Sequence, residues 1–148
     1  METADILVYE GKKLTRVYEY AKSTHEQKIH GRARESGREV FQSGGFTRGT
    51  EEWWSAIRNG AVPTLRRSGV ISKVFFASPN YTAKFQVGKG KDKFVWFRLG
   101  EPDSLYQAGK FILMEYVTVS VPSAPSFGGI PHPAALGIAQ YLGVWIES

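Results

Sequence analysis

From Gly69 onward the large side chains of this 148-residue chain recur with a period of two. Residues 70–77, 81–87 and 93–99 each read as a strand, because successive side chains on an extended backbone point to opposite faces. Ser78-Pro79-Asn80 and Gly88-Lys89-Gly90-Lys91-Asp92 supply the turns between them. Residues 110–121 form a fourth strand, and residues 138–147 a fifth. Between those two, residues 122–137 hold four prolines and three glycines, which makes them a loop or crossover. Residues 101–108 read as a short helical turn, with Asp103 or Ser104 placed to cap it.

Five strands with a short helical element between the third and fourth predict a mainly β (α+β) fold. An OB-like partly open barrel has this order, and an SH3-like barrel is the nearest rival. High aromatic content (14%) and 16 glycines suit a small barrel, where rings fill the interior and glycines turn the corners. Alternation assigns Val70, Val74, Phe85, Val87, Phe97, Leu99, Ile112, Val117, Val119, Val144 and Ile146 to its core.

The N-terminal part reads differently. Residues 6–20 form a hairpin about Glu10-Gly11, although Leu14, Val17, Tyr18 and Ala21 also fit a helical spacing. Residues 23–50 mix Arg32, Arg34, Arg38 and other cations with five glycines, so they are expected to be a basic arm, ordered by a partner if at all. Thr50 to Gly60 is a compact helix signature. Thr50 can cap, Glu51 and Glu52 sit in the positive first turn, and Gly60 can take the left-handed stop. Its paired indoles, Trp53 and Trp54, are too apolar to leave in water, so the helix should lie on the barrel as a lid. The organisation expected is hairpin, arm and helix over residues 1–60 and a barrel over 61–148, all one folding unit.

Composition removes several function classes. With no cysteine there is no disulfide, thiol catalysis or Cys-based metal site. Neither a basic n-region nor an 18-residue apolar run is present, so a soluble cytoplasmic protein away from membranes is expected. Nucleophile-elbow, P-loop and dinucleotide fingerprints are absent. His25 and His30 are five apart, off a shared helix face, and His132 lies between two prolines. Glu115 stands among apolar neighbours and reads as an outward edge charge. No enzyme activity, cofactor or metal is expected.

The charge is unevenly placed. Net charge is +5, and the last 38 residues contain no Lys or Arg. Between Trp53 and Gly100, nine cations face one acid, Asp92. In the third strand Phe94, Trp96 and Arg98 share the side opposite the expected core. Cations beside exposed rings suit a single nucleic-acid strand, whose phosphates need charge and whose bases need flat faces. Lys73, Lys84, Lys89, Lys91, Lys93, Phe94, Trp96 and Arg98 are therefore the candidate nucleic-acid site, with Arg32, Arg34 and Arg38 of the arm. The alternative is a non-enzymatic structural subunit or protein-interaction module of a larger assembly, docking through its Gly/Pro-rich stretches and uncharged C-terminal segment. A small-molecule pocket lined by Tyr106, Tyr116 and Trp145 is a third possibility that no residue pattern selects.

Overall fold

The computed structural model describes residues 5–37, 40–77, 82–120 and 138–148, and the backbone of residues 126–127 and 130–131. Two compact units divide the chain. One gathers Met1–Glu19, Arg66–Glu115 and Gly143–Ser148; the other gathers Tyr20–Leu65 and Tyr116–Leu142.

Most residues of a seven-stranded sheet belong to the first unit. Strands β1 (Ile6–Tyr9) and β2 (Lys12–Glu19) form the N-terminal hairpin, with Glu10 and Gly11 both at positive φ in its turn. Two-residue hairpin turns need that backbone to match the strand twist. Short strands β3 (Gln42–Ser43) and β4 (Phe46–Thr47) belong to the second unit. The sheet continues with β5 (Leu65–Ala77), β6 (Thr82–Val87), β7 (Phe94–Phe97) and β8 (Phe111–Val119). A backbone pair, β9 (Ser126–Phe127) and β10 (Ile130–Pro131), precedes β11 (Ile138–Glu147). Strand order in the sheet is β1-β2-β11-β8-β5-β6-β7.

This order corrects the expected five-stranded barrel. The hairpin pairs with β11 in an antiparallel register, Val144 opposite Tyr18 and Ile146 opposite Thr15, so it extends the sheet. β1 and β7 are left as separate edges, and an open sheet results. Within the unit Leu14, Phe111, Leu113 and Trp145 form a buried cluster with Leu7 and Tyr9 packed against it. A second set of rings joins Phe85 to Tyr106 (5.2 Å) and to Phe94 (6.3 Å). The Tyr106 hydroxyl donates to the Leu99 carbonyl (2.7 Å) and accepts from the Leu99 amide (3.0 Å). Burial, partly offset by its bond to Leu99, pushes the phenol pKa well above its usual value.

Of the expected core residues, Phe85, Val87, Ile112, Val117, Val119, Val144 and Ile146 are buried and Leu99 is half-buried. Val70 (52% exposed), Val74 and Phe97 are not. Strand β5 contains a bulge: Ile71 faces Val87 and Lys73 faces the adjacent Gln86, which leaves Ser72 as the extra residue. The bulge breaks the parity of the alternation, burying Ile71 and turning Val70 out.

In the second unit, a helix and the β3–β4 pair stand where a basic arm was expected. Helix α1 (Thr24–Ser36) ends on Gly37 in the left-handed region, whose N–H reaches the Ala33 and Arg34 carbonyls. Gly31 costs this helix about 1 kcal/mol. Side-chain bonds to the rest of the unit offset it: the Gln27 amide donates to the Tyr20 carbonyl (2.8 Å), and Arg34 donates to the Arg48 carbonyl (3.0 Å). Helix α2 (Glu51–Arg58) is capped as expected, the Trp53 amide donating to the Thr50 hydroxyl (3.3 Å).

The indole of Trp53 is fully buried, though on no barrel. Its Nε1 donates to the Ser43 hydroxyl (3.0 Å), which donates onward to the Thr118 carbonyl (2.7 Å). Trp54 packs at 4.8 Å from Trp53 and stacks on Tyr20 at 5.7 Å. Arg38 and His132 lie outside the described residues.

One backbone approach in the first unit tests this packing. Gly100 has φ +77°, and a Cβ there would overlap the Val17 carbonyl oxygen, which accepts from the Glu101 amide (2.8 Å). Gly100→Ala is expected to cost about 3 kcal/mol or more through strain and displaced backbone, lowering the melting temperature by roughly 10 °C. Thermal unfolding by circular dichroism measures it.

Candidate functional site

Strands β5, β6 and β7 form a meander at one end of the sheet, and their register decides which side chains meet. Phe75 lies opposite Lys84, and Lys84 opposite Phe97. The next row is Lys73, Gln86 and Val95. Cross-strand rows of this kind put side chains within about 5 Å of each other on one face. The Lys84 ammonium stands 5.1 Å from the Phe97 ring centre, and the Lys73 ammonium 4.9 Å from that of Phe75. Such contacts contribute about 0.5–1 kcal/mol at exposed sites and restrict where the amines sit. Val95 (36% exposed) and Phe97 (39%) complete an apolar surface between the cations.

Gln86, in the middle of that row, braces the face. Its buried amide donates to the Ser72 hydroxyl (3.0 Å) and to the Gly88 carbonyl (3.0 Å), and Ser72 donates to Gly88 as well (2.8 Å). The bulge residue and the end of β6 are thereby tied together, which sets the position of Lys73.

The opposite face differs. Phe94 and Trp96 are half-buried there, Phe94 against the fully buried Phe85. That reverses the expected sides of β7: Val95 and Phe97 are the exposed pair. Nothing in the run Phe94-Val95-Trp96-Phe97 marks its inner face, since all four residues are apolar. Arg98 is taken up internally, its side chain 8% exposed, with one nitrogen on Asp103 (3.0 Å) and another donating to the Phe75 carbonyl (3.3 Å). Its guanidinium lies 4.8 Å from the ring centre of Phe76, itself 63% exposed.

Lys89 and Lys93 flank the 3₁₀ turn Gly90–Asp92 and Lys91 is its middle residue; all three are exposed and, among the described residues, paired with no carboxylate. Lys73 likewise has no carboxylate partner there. Glu115 is held by Arg66 (3.0 Å). In the other unit Arg32 is exposed on α1, while Arg34 is committed to the Arg48 carbonyl.

That unit also contains a polar cluster that residue spacing does not disclose. Tyr20 and His30 share a 2.6 Å hydrogen bond between the phenol and Nδ1. Burial pushes the Tyr20 pKa up to about 12, against the lowering influence of Arg48, so the phenol keeps its proton, and the His30 tautomer sets which of the two groups donates. Burial first, and then the Arg48 charge, lower the His30 pKa, with Glu26 opposing and Arg34 assisting. Arg48 in turn donates to Gln140 (2.9 Å). No group of three or more metal-ligating side chains comes together among the described residues.

The sequence model of the family described as "Immunity protein RhsI2" matches residues 7–129, most of the chain, from within β1 through β9. The chain belongs to this family. No curated protein matches it. Membership in an immunity-protein family overturns the nucleic-acid reading of the basic strands. The same charge and rings serve a protein interface as readily, because cation-rich aromatic surfaces attract carboxylates as well as phosphates. The family supports the protein-interaction alternative.

Neutral His30 sets a pH dependence. Below about 6.5, the ordinary histidine pKa, the unfolded chain binds a proton that the folded chain resists, so stability is lost as pH falls through that range. For Tyr20 stability is lost as pH rises from 10 toward about 12. His30→Gln, whose amide can accept from the phenol or donate to it, should lose less melting temperature than the parent between about pH 7.5 and about pH 5, on the two sides of the ordinary histidine pKa. Differential scanning calorimetry at both pH values measures the contrast.

Proposed function

We propose that this protein neutralises a toxin by binding it as a stoichiometric, non-catalytic inhibitor. Family membership across residues 7–129 is the observation that carries this reading. The structure supports it with a rigid sheet whose end strands present exposed aromatic and aliphatic side chains among lysines, the composition from which protein interfaces draw their energy. Inhibition of this kind requires no bond to be made or broken. It requires that the complex outlast the encounter, so the relevant quantity is a dissociation rate.

A growth selection tests the proposal and isolates the toxin in the same step. Genomic fragments from the source organism are introduced into host cells with and without this chain under inducible control. A fragment tolerated only when the chain is expressed is expected. Its product should co-purify with the chain at a fixed ratio, with Kd of about 100 nM or tighter, equivalent to about −9.5 kcal/mol. Recovery of no such fragment, or rescue without a stable complex, would count against a binding inhibitor.

A further inference from the structure

The structure assigns the docking surface and the chemistry of what it receives. We infer that the β5–β6–β7 face carrying Lys73, Phe75, Lys84, Val95 and Phe97 binds a carboxylate-rich surface of the toxin. This rests on the toxin-binding reading above and adds to it the location and sign of the interface.

Charge indicates the occupant. From Trp53 to Gly100 the chain has nine cations and one acid, and Arg58, Arg66 and Arg98 meet Glu51, Glu115 and Asp103. Lys73, Lys89, Lys91 and Lys93 remain without a carboxylate among the described residues. A partner face of like sign would be repelled and an uncharged one would leave these ammonium groups to be desolvated without compensation. An acidic face supplies their counter-charge. A second copy of this chain carries the same cations and fits poorly.

Geometry indicates the face. Row pairing places Lys84 between Phe75 and Phe97, and each lysine named for the site holds its ammonium about 5 Å from a ring. The amines are thus confined before binding, so less side-chain freedom is lost when carboxylates reach them. Phe97 and Val95 offer the apolar contact that excludes water around such pairs. The Ser72–Gln86–Gly88 bonds hold the platform in place.

The test uses the full chain and the toxin fragment recovered by the growth selection, made catalytically inert where necessary. Lys73→Glu combined with Lys84→Glu should raise Kd about 100-fold and abolish rescue, since like charges would meet across the interface. Lys13→Glu with Lys28→Glu, an equal change in net charge at exposed sites elsewhere, should stay within about three-fold of the parent. Parent affinity should fall between about 50 and about 300 mM salt. Should the half-buried Lys84 reversal unfold the chain, Lys73→Glu and Phe97→Ala are read singly, each expected to cost about ten-fold. Charge reversal at Lys73 and Lys84 within about three-fold of the parent, in folded protein that still binds and rescues, overturns the docking assignment and leaves toxin binding standing. Equal weakening by the Lys13 and Lys28 reversals also overturns it, because net charge would then account for the effect. Failure of the parent itself to bind any fragment removes the toxin-binding reading and the assignment with it.

Discussion

Ile112, Leu113 and Met114 are consecutive residues of β8, and Val144, Trp145 and Ile146 of β11; all six are buried. A strand buried at consecutive positions must be covered on both faces, which removes the alternation that a half-solvated strand would show. Those two strands stand side by side between β2 and β5. Everything else in the sheet follows from them. β2 and β1 extend it on one side, while β5, β6 and β7 extend it on the other, away from the doubly covered centre. Side chains near that second end can be apolar and still meet water, as Phe76 and Phe97 do.

This contrast explains which parts of the fold were legible in the residues. Strand β11 was visible at its full length, and β8 nearly so, because long β-branched and aromatic runs have few other uses. The Thr50 cap was equally plain, while the N-terminal hairpin competed with a helical spacing of Leu14, Val17, Tyr18 and Ala21. The parity of β5 was not, since the bulge at Ser72 is held by bonds from Gln86 fourteen positions away. Strand order was hidden for a related reason. Nothing local in residues 12–19 says that their partner lies near the other end of the sequence.

The candidate site was half legible. Lys73 and Lys84 were picked out as outward cations, and the structure keeps them at the surface, though Lys84 is half-buried. Phe97 was assigned to the core because an all-apolar strand gives no signal for its inner face. The helix α1 shows the opposite failure. Its composition suits an unattached basic segment, yet His30 and Arg34 bind the rest of their unit, and those contacts outweigh the glycine that argued against a helix. The charge itself was read correctly and its partner was not. Lysines beside rings suit a polyphosphate and a carboxylate-bearing protein alike, and the family supports a protein partner.

Pairing of β2 with β11 also has a consequence in time. Ribosomal synthesis proceeds at about 5–20 residues per second, so roughly 120 residues and on the order of ten seconds separate the two strands as they are made. Throughout that interval one edge of β2 carries unpaired amides and carbonyls, open to any extended segment nearby. The sheet closes over that edge only when residues 143–147 arrive. A protein assembled this way gains its final form late and all at once. A cell that depends on it is best served by holding a stock of finished molecules ahead of need.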